Sequence, residues 1–278
     1  MKNAPVDLSA KSVVLTGGSM GIGAAVARAC LESGANVTIC ARGAPTLEAT
    51  ALQLREAFPN RVAALTADVS DAAQVSALFD GAERRFGRVH GAIHCAAVIE
   101  PIGTILDVDP GEWLRTLQID LFGTFVLARE ACLRMRARGG RIVLFAGGGA
   151  STPYPSHTAY ACSKVAVVRL AETAAIEMRP FGIEINALAP GLVLTRMVET
   201  TRRSGVDTSG APAPVGPELA ARAAAFLVSD AASGITGKFV SAVHDDYARW
   251  PHHLDELQDG DAFTLRRIVP RDRGMDWQ

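Results

Sequence analysis

With 278 residues, 49% hydrophobic and 21% charged, the chain can bury the core of one large α/β domain and is too apolar to be disordered over most of its length. A formal net charge of −1 removes the polyelectrolyte route to nucleic acid or to an acidic membrane. Cys30, Cys40, Cys95, Cys132 and Cys162 form no C-x-x-C pair and read as reduced core residues of a cytoplasmic protein, while residues 1–10 carry no leader pattern and no run is long enough to span a bilayer.

The predicted elements alternate. Residues 13–15 are continuously apolar, as expected of a parallel strand covered on both faces. They run straight into Thr16-Gly17-Gly18-Ser19-Met20-Gly21-Ile22-Gly23. Gly17 suits a tight turn, Gly21 lets a ligand approach the backbone, and Gly23 lets the next helix pack closely on the strand. The free N–H groups of that helix, predicted over 21–33, favour a pyrophosphate. Strand 36–40, helix 46–58 and strand 62–67 follow. Ser70 is then expected to cap a helix over 71–86, closed by Gly87. Strand 89–95 leads through a loop to one long helix over 112–138. Strand 141–145, helix 158–179 and strand 183–188 come next. The polar stretch 195–217, rich in Gly, Pro, Ser and Thr, reads as a mobile flap over a site. A helix over 217–229 and a strand over 238–243 complete the series. This alternation predicts an α/β fold, a single doubly wound domain whose seven-stranded parallel sheet carries helices on both faces. Ligands of such sheets bind at the carboxyl ends of the strands.

The clearest chemical signal is Tyr160-Ala161-Cys162-Ser163-Lys164. Positions i and i+4 share a helical face, so phenol and ammonium point into one cleft. A fixed cation stabilises phenolate and is expected to lower the tyrosine below its ordinary value of about 10. Tyr160 could then pass a proton to or from a substrate oxygen.

Taken in order, the glycine turn, Asp68-Val69, Tyr160 with Lys164, and Pro190-Gly191-Leu192-Val193-Leu194-Thr195 make the chain similar to short-chain dehydrogenases/reductases, which have a Rossmann-type fold. The resemblance covers about residues 11–243. It implies that Gly17, Ser19, Gly21, Ile22 and Gly23 bind cofactor phosphates and that Asp68 with Val69 holds the adenine. Tyr160 would be the general acid/base, and Lys164 would hold the nicotinamide ribose. Pro190, Gly191, Val193 and Thr195 would flank the nicotinamide, with the Val193 backbone on its carboxamide. A homodimer or homotetramer built on the two long helices is implied as well.

Three positions depart from the family pattern. The serine usual thirteen residues before the tyrosine is Gly147, which removes a donor to the substrate carbonyl and leaves Ser151, Thr152 or the substrate itself to take its place. The segment after strand four reads His94-Cys95-Ala96-Ala97, still small beside a cofactor at Ala96. Asp120 stands where the family has an asparagine that supports a water linked to the lysine; an aspartate could do likewise while changing the local charge.

Strand two ends in Ala41-Arg42, with no acid to hold a ribose 2′-hydroxyl and an arginine able to grip a 2′-phosphate, so NADP(H) is expected over NAD(H). Residues 247–278 read as an extension of the 1–246 domain, a strap with Trp250, Leu254, Leu257, Phe263, Leu265, Ile268 and Trp277 that packs on the domain or on a neighbouring subunit. His252-His253 find no third ligand in the sequence, and no metal is assigned. The expected activity is hydride transfer between a nicotinamide and a secondary alcohol/ketone pair of small-molecule size. Two other readings stay open: a weakly active dinucleotide-binding sensor or partner protein, and an epimerase using transient oxidation.

Overall fold

The computed structural model describes residues 6–276; Trp277 of the tail reading and residues 1–5 of the leader reading lie outside them. Seven parallel strands stand in the order β3-β2-β1-β4-β5-β6-β7. They are β1 (Ser12–Thr16), β2 (Asn36–Ala41), β3 (Val62–Thr66), β4 (Gly91–His94), β5 (Gly140–Phe145), β6 (Ile183–Ala189) and β7 (Phe239–Ser241). Period two divides the central strand between two cores. Val13 and Leu15 pack with α1 (Gly21–Glu32), α2 (Ala44–Ala57) and α8 (Pro217–Leu227) on one face. Val14 packs on the other face with α3 (Ala72–Phe86), α5 (Gly123–Met135) and α6 (Thr158–Met178). From β1 the chain winds first toward β3 and then back toward β7, so the order reverses between β1 and β4. A crevice opens there at the carboxyl ends of the strands.

Local chemistry moved several boundaries. Asp71, not Ser70, caps α3: its carboxylate accepts the Ala73 and Gln74 N–H groups, while Ser70 donates its hydroxyl to Asp68. The single helix expected over 112–138 is α4 (Pro110–Leu117), a π-turn at Gln118–Phe122, and α5. Such wide turns are frequent at functional sites, and this one carries Asp120. Gly123 follows it where a Cβ would stand 2.9 Å from Val69 Cγ2, so glycine lets the helix settle against the end of β3. The flap is not wholly irregular, because Arg196–Arg203 form α7.

At the other end of the sheet, the Phe239 N–H of edge strand β7 donates to Phe263 O at 2.7 Å. Glu172 of α6 accepts the Leu265 N–H at 2.6 Å, and Trp250 packs on Phe263 with ring centroids 4.3 Å apart. Trp250 and Leu257 are buried in the first core. The extension thus occupies donors and apolar surface that an open edge would present to water.

Candidate active site

Between the glycine turn, the end of β4 and the flap lies a cleft of about 1130 Å³, larger than the few hundred Å³ of many small-ligand sites. Gly17, Ser19, Gly21, Ile22, Gly23, Arg42, Val69, Ala96 and Thr195 all line it. The turn is tight for a reason: Gly17 has φ +70°, and a Cβ there would lie 2.7 Å from Ala96 N, while a Cβ on Gly23 would lie 2.1 Å from Gly17 O. Met20 gives α1 no side-chain cap, so the first N–H groups of a twelve-residue helix are left for a ligand in the cleft. These features fit a dinucleotide pyrophosphate.

Asp68 sits just outside that wall. Partial burial pushes its carboxyl up, but hydrogen bonds from Ser70 and the nearby Arg42 and Arg115 charges outweigh this and hold it below the usual carboxylate range. On the opposite side, Thr195 reaches the glycine turn, its Cγ2 lying 3.3 Å from where Gly21 would carry a Cβ. Pro190, Gly191 and Val193 do not line the cleft. Gly191 backs onto Val243 and Val215, and the buried Val193 bridges to Val215, so this segment hangs the flap on the sheet.

Tyr160, Lys164 and Asp120 form a second, deeper group connected to the cleft through Val98 and Ile119 of its wall. Lys164 is only 2% exposed; its Nζ lies 3.5 Å from Asp120 Oδ2 and donates to Phe145 O at 3.3 Å. Asp120 is fully buried, and its Oδ1 accepts the Val98 N–H at 2.8 Å. Burial pushes the Asp120 carboxyl up against the opposing pull of the Lys164 charge.

The phenol departs from expectation. Lys164 Nζ is 5.3 Å from the Tyr160 ring centroid but is paired with Asp120. Burial first, then the Asp120 charge and Tyr154, push Tyr160 above the ordinary tyrosine value. The lowering anticipated from the i,i+4 pair is therefore not met, because burial disfavours the phenolate and Asp120 sets a negative charge against the cation.

Gly147 has extended backbone that any residue adopts. A Cβ there would lie 2.6 Å from Tyr160 Oη and 3.7 Å from Lys164 Cγ; the phenol leans into the space that a serine side chain would fill. Ser151 and Thr152 turn their hydroxyls onto Gly148 O, at 3.3 and 3.2 Å. Behind Ala96, the His94 ring is fully buried with Nδ1 2.9 Å from Thr16 Oγ1 and Nε2 without a partner. Burial takes its pKa down to about 3, so the imidazole is neutral. Sequence reasoning missed Tyr154 and His157, whose rings stack 4.3 Å apart, with Tyr154 edge-on to Tyr160. Their signal was an aromatic pair in the loop entering α6. Among the described residues no group of three or more His, Cys, Asp or Glu is placed to hold a metal, and no helix is long and apolar enough to cross a membrane.

The enoyl-(acyl carrier protein) reductase family model matches residues 17–242. The chain is 35% identical over 235 residues to cis-4-hydroxycyclohexanecarboxylate dehydrogenase of Sinomonas cyclohexanicum, covering 82% of this chain and 93% of that protein. Among solved structures, levodione reductase superposes with a TM-score of 0.79 at 29% identity, covering 84% of this chain and 96% of its own. A variant actinorhodin polyketide ketoreductase with NADPH gives 0.77 at 27% identity, over 83% and 95%.

Proposed function

The chain belongs to the short-chain dehydrogenase/reductase family, and from that premise we propose that it moves a hydride between NADP(H) and a cyclic secondary alcohol/ketone pair, with Tyr160 as general acid/base. The observation that carries this reading is the Tyr160 hydroxyl at the carboxyl ends of the strands, one helical turn from Lys164 and held over a residue without a side chain. Bound in the cleft, the nicotinamide would supply or accept the hydride. The glycine turn and the first N–H groups of α1 would bind its pyrophosphate, Asp68 and Val69 its adenine, and Thr195 would orient its far end. Lys164 holds the ribose, Asp120 fixes Lys164, and Tyr160 gives its proton to the ketone oxygen or takes one from the alcohol. One of the relatives above carries a name that points to a six-membered-ring substrate, which supports the cyclic class. A panel of cyclic ketones and alcohols, followed by cofactor absorbance, tests the proposal. NADPH consumption with at least one ring ketone is expected. Dinucleotide binding with no turnover across the panel would instead favour the sensor reading that Gly147 suggests.

Arg42 carries the cofactor preference. It is exposed in the cleft wall beside the end of β2, where a charge-assisted bond to a 2′-phosphate contributes about 1.5–3 kcal/mol. Arg42→Ala is therefore expected to raise the KM for NADPH about tenfold or more and to leave that for NADH unchanged. Equal constants for both cofactors, unmoved by the substitution, would refute it.

The oligomer proposal rests on exposed apolar residues of α4, the π-turn after it and α5. Leu114, Phe122, Phe125 and Leu133 face solvent, and the first three border a hollow that Leu117 and Leu121 also line. An exposed apolar face of this kind marks an association site, and a second copy of the chain is its proposed occupant. Light scattering that returns a monomer mass at micromolar concentration would refute this. Free cysteines throughout support a reducing, cytoplasmic setting.

A further inference from the structure

We propose that Tyr154 is a second catalytic phenol, supplying to the substrate oxygen the hydrogen bond that no side chain at position 147 can donate. The proposal rests on the oxidoreductase reading and adds to it a residue placed by geometry.

The volume beside Gly147 cannot be refilled by another small hydroxyl, because Tyr160 Oη already stands 2.6 Å from the position of the missing Cβ. A replacement donor must approach from the other side of the phenol. The two hydroxyls nearest in sequence are turned away, since both Ser151 and Thr152 are bonded to Gly148 O. Tyr154 remains. Its ring meets that of Tyr160 edge-on, with centroids 6.1 Å apart and planes at 64°, and it is 37% exposed, so it can reach a ligand. Gly149 lets the loop that carries Tyr154 lie close on α6, since a Cβ there would stand 3.1 Å from Ala161 Cα.

A useful donor must also be held in place before the reaction. Tyr154 lies flat on the His157 ring, with centroids 4.3 Å apart and planes within 11°. His157 is fully buried, with Nδ1 2.8 Å from Pro155 O and Nε2 3.2 Å from Thr201 Oγ1. Both ring nitrogens are thus engaged. Because Thr201 belongs to α7, the flap helix and the Tyr154 ring share one support.

In ketone reduction, the carbonyl carbon gains the hydride from the reduced nicotinamide, and its oxygen gains the Tyr160 proton as the C=O π bond breaks. Tyr154 only donates a hydrogen bond to that oxygen and keeps its own proton. Burial raises the Tyr154 pKa, which keeps the group protonated as a donor must be.

The test is Tyr154→Phe, which preserves the ring and its stacking on His157, assayed with NADPH and cyclohexanone or the ring ketone that the panel shows is turned over fastest. Loss of one such donor costs about 10²–10³ in rate. A fall of that size in kcat is expected, with NADPH affinity and thermal midpoint unchanged. Unchanged kcat in Tyr154→Phe, with activity lost in Tyr160→Phe, would overturn this proposal and leave the oxidoreductase reading standing. A matching loss of NADPH affinity or of thermal midpoint would make Tyr154 structural and equally overturn it. Absence of NADPH-dependent turnover in the unsubstituted protein would remove the underlying reading, and this inference with it.

Discussion

Tyr160→Phe is expected to lower kcat by about 10²–10⁴-fold, the range contributed by a positioned general acid or base, with dinucleotide affinity retained. The substitution removes one oxygen and keeps the ring beside Lys164 and Tyr154. It also vacates the space 2.6 Å from the Cβ position of Gly147, so overpacking cannot account for the loss. The pH dependence gives the sign. Because the Tyr160 pKa is raised, the phenol is protonated at neutral pH and ready to act as an acid. Ketone reduction should therefore run near its plateau at neutral pH. Alcohol oxidation, which needs the phenolate, should climb into the alkaline range without levelling near pH 7. Steady-state rates in both directions across pH 6–10 check this. An oxidation rate that reaches its plateau below neutrality would show that the phenol is not raised, and retained turnover in Tyr160→Phe would end its role as acid/base.

What could be read in advance depended on how local the cause was. The strand and glycine turn at residues 12–23 are legible because their signals are neighbours in sequence: an apolar run, then glycines whose positions a Cβ would block. The pairing of Tyr160 with Lys164 is equally local, one turn of one helix. The direction of the Tyr160 shift is not local. It is set first by the burial of the phenol and then by Asp120, forty-four residues before Lys164, brought to the ammonium by a π-turn that no hydrophobic period announces. The support beneath Tyr154 is hidden for the same reason, since the His157 to Thr201 contact spans 44 residues. Helix α7 was concealed by composition: its residues are so polar that the apolar stripe used to recognise a helix is nearly missing, leaving Thr201 as its one buried residue.

Asp120→Ala should cost about 3–5 kcal/mol of stability, the usual penalty for removing one partner of a buried ion pair. The reason is arithmetic over partners. Lys164 would keep only Phe145 O for a fully desolvated ammonium, and the Val98 N–H would lose its acceptor. Asp120→Asn separates these effects, because an amide oxygen can still receive the Val98 N–H while the negative charge is gone. It should cost less than the alanine variant. Removing the charge also removes one of the causes that raise Tyr160, so the alkaline limb of alcohol oxidation should move toward lower pH in Asp120→Asn. The carboxylate has its own cost. Burial raises the Asp120 pKa, and a carboxyl raised on folding loses native stability as pH rises from its unfolded value through its folded one. The stability gap between the unsubstituted protein and Asp120→Asn should therefore shift in favour of the asparagine across that acidic window. Denaturant unfolding of the three proteins at pH 4 and pH 7 measures each quantity. An alanine variant within about 1 kcal/mol of the unsubstituted protein, a cost typical of an exposed pair, would mean that Asp120 does not hold the buried lysine.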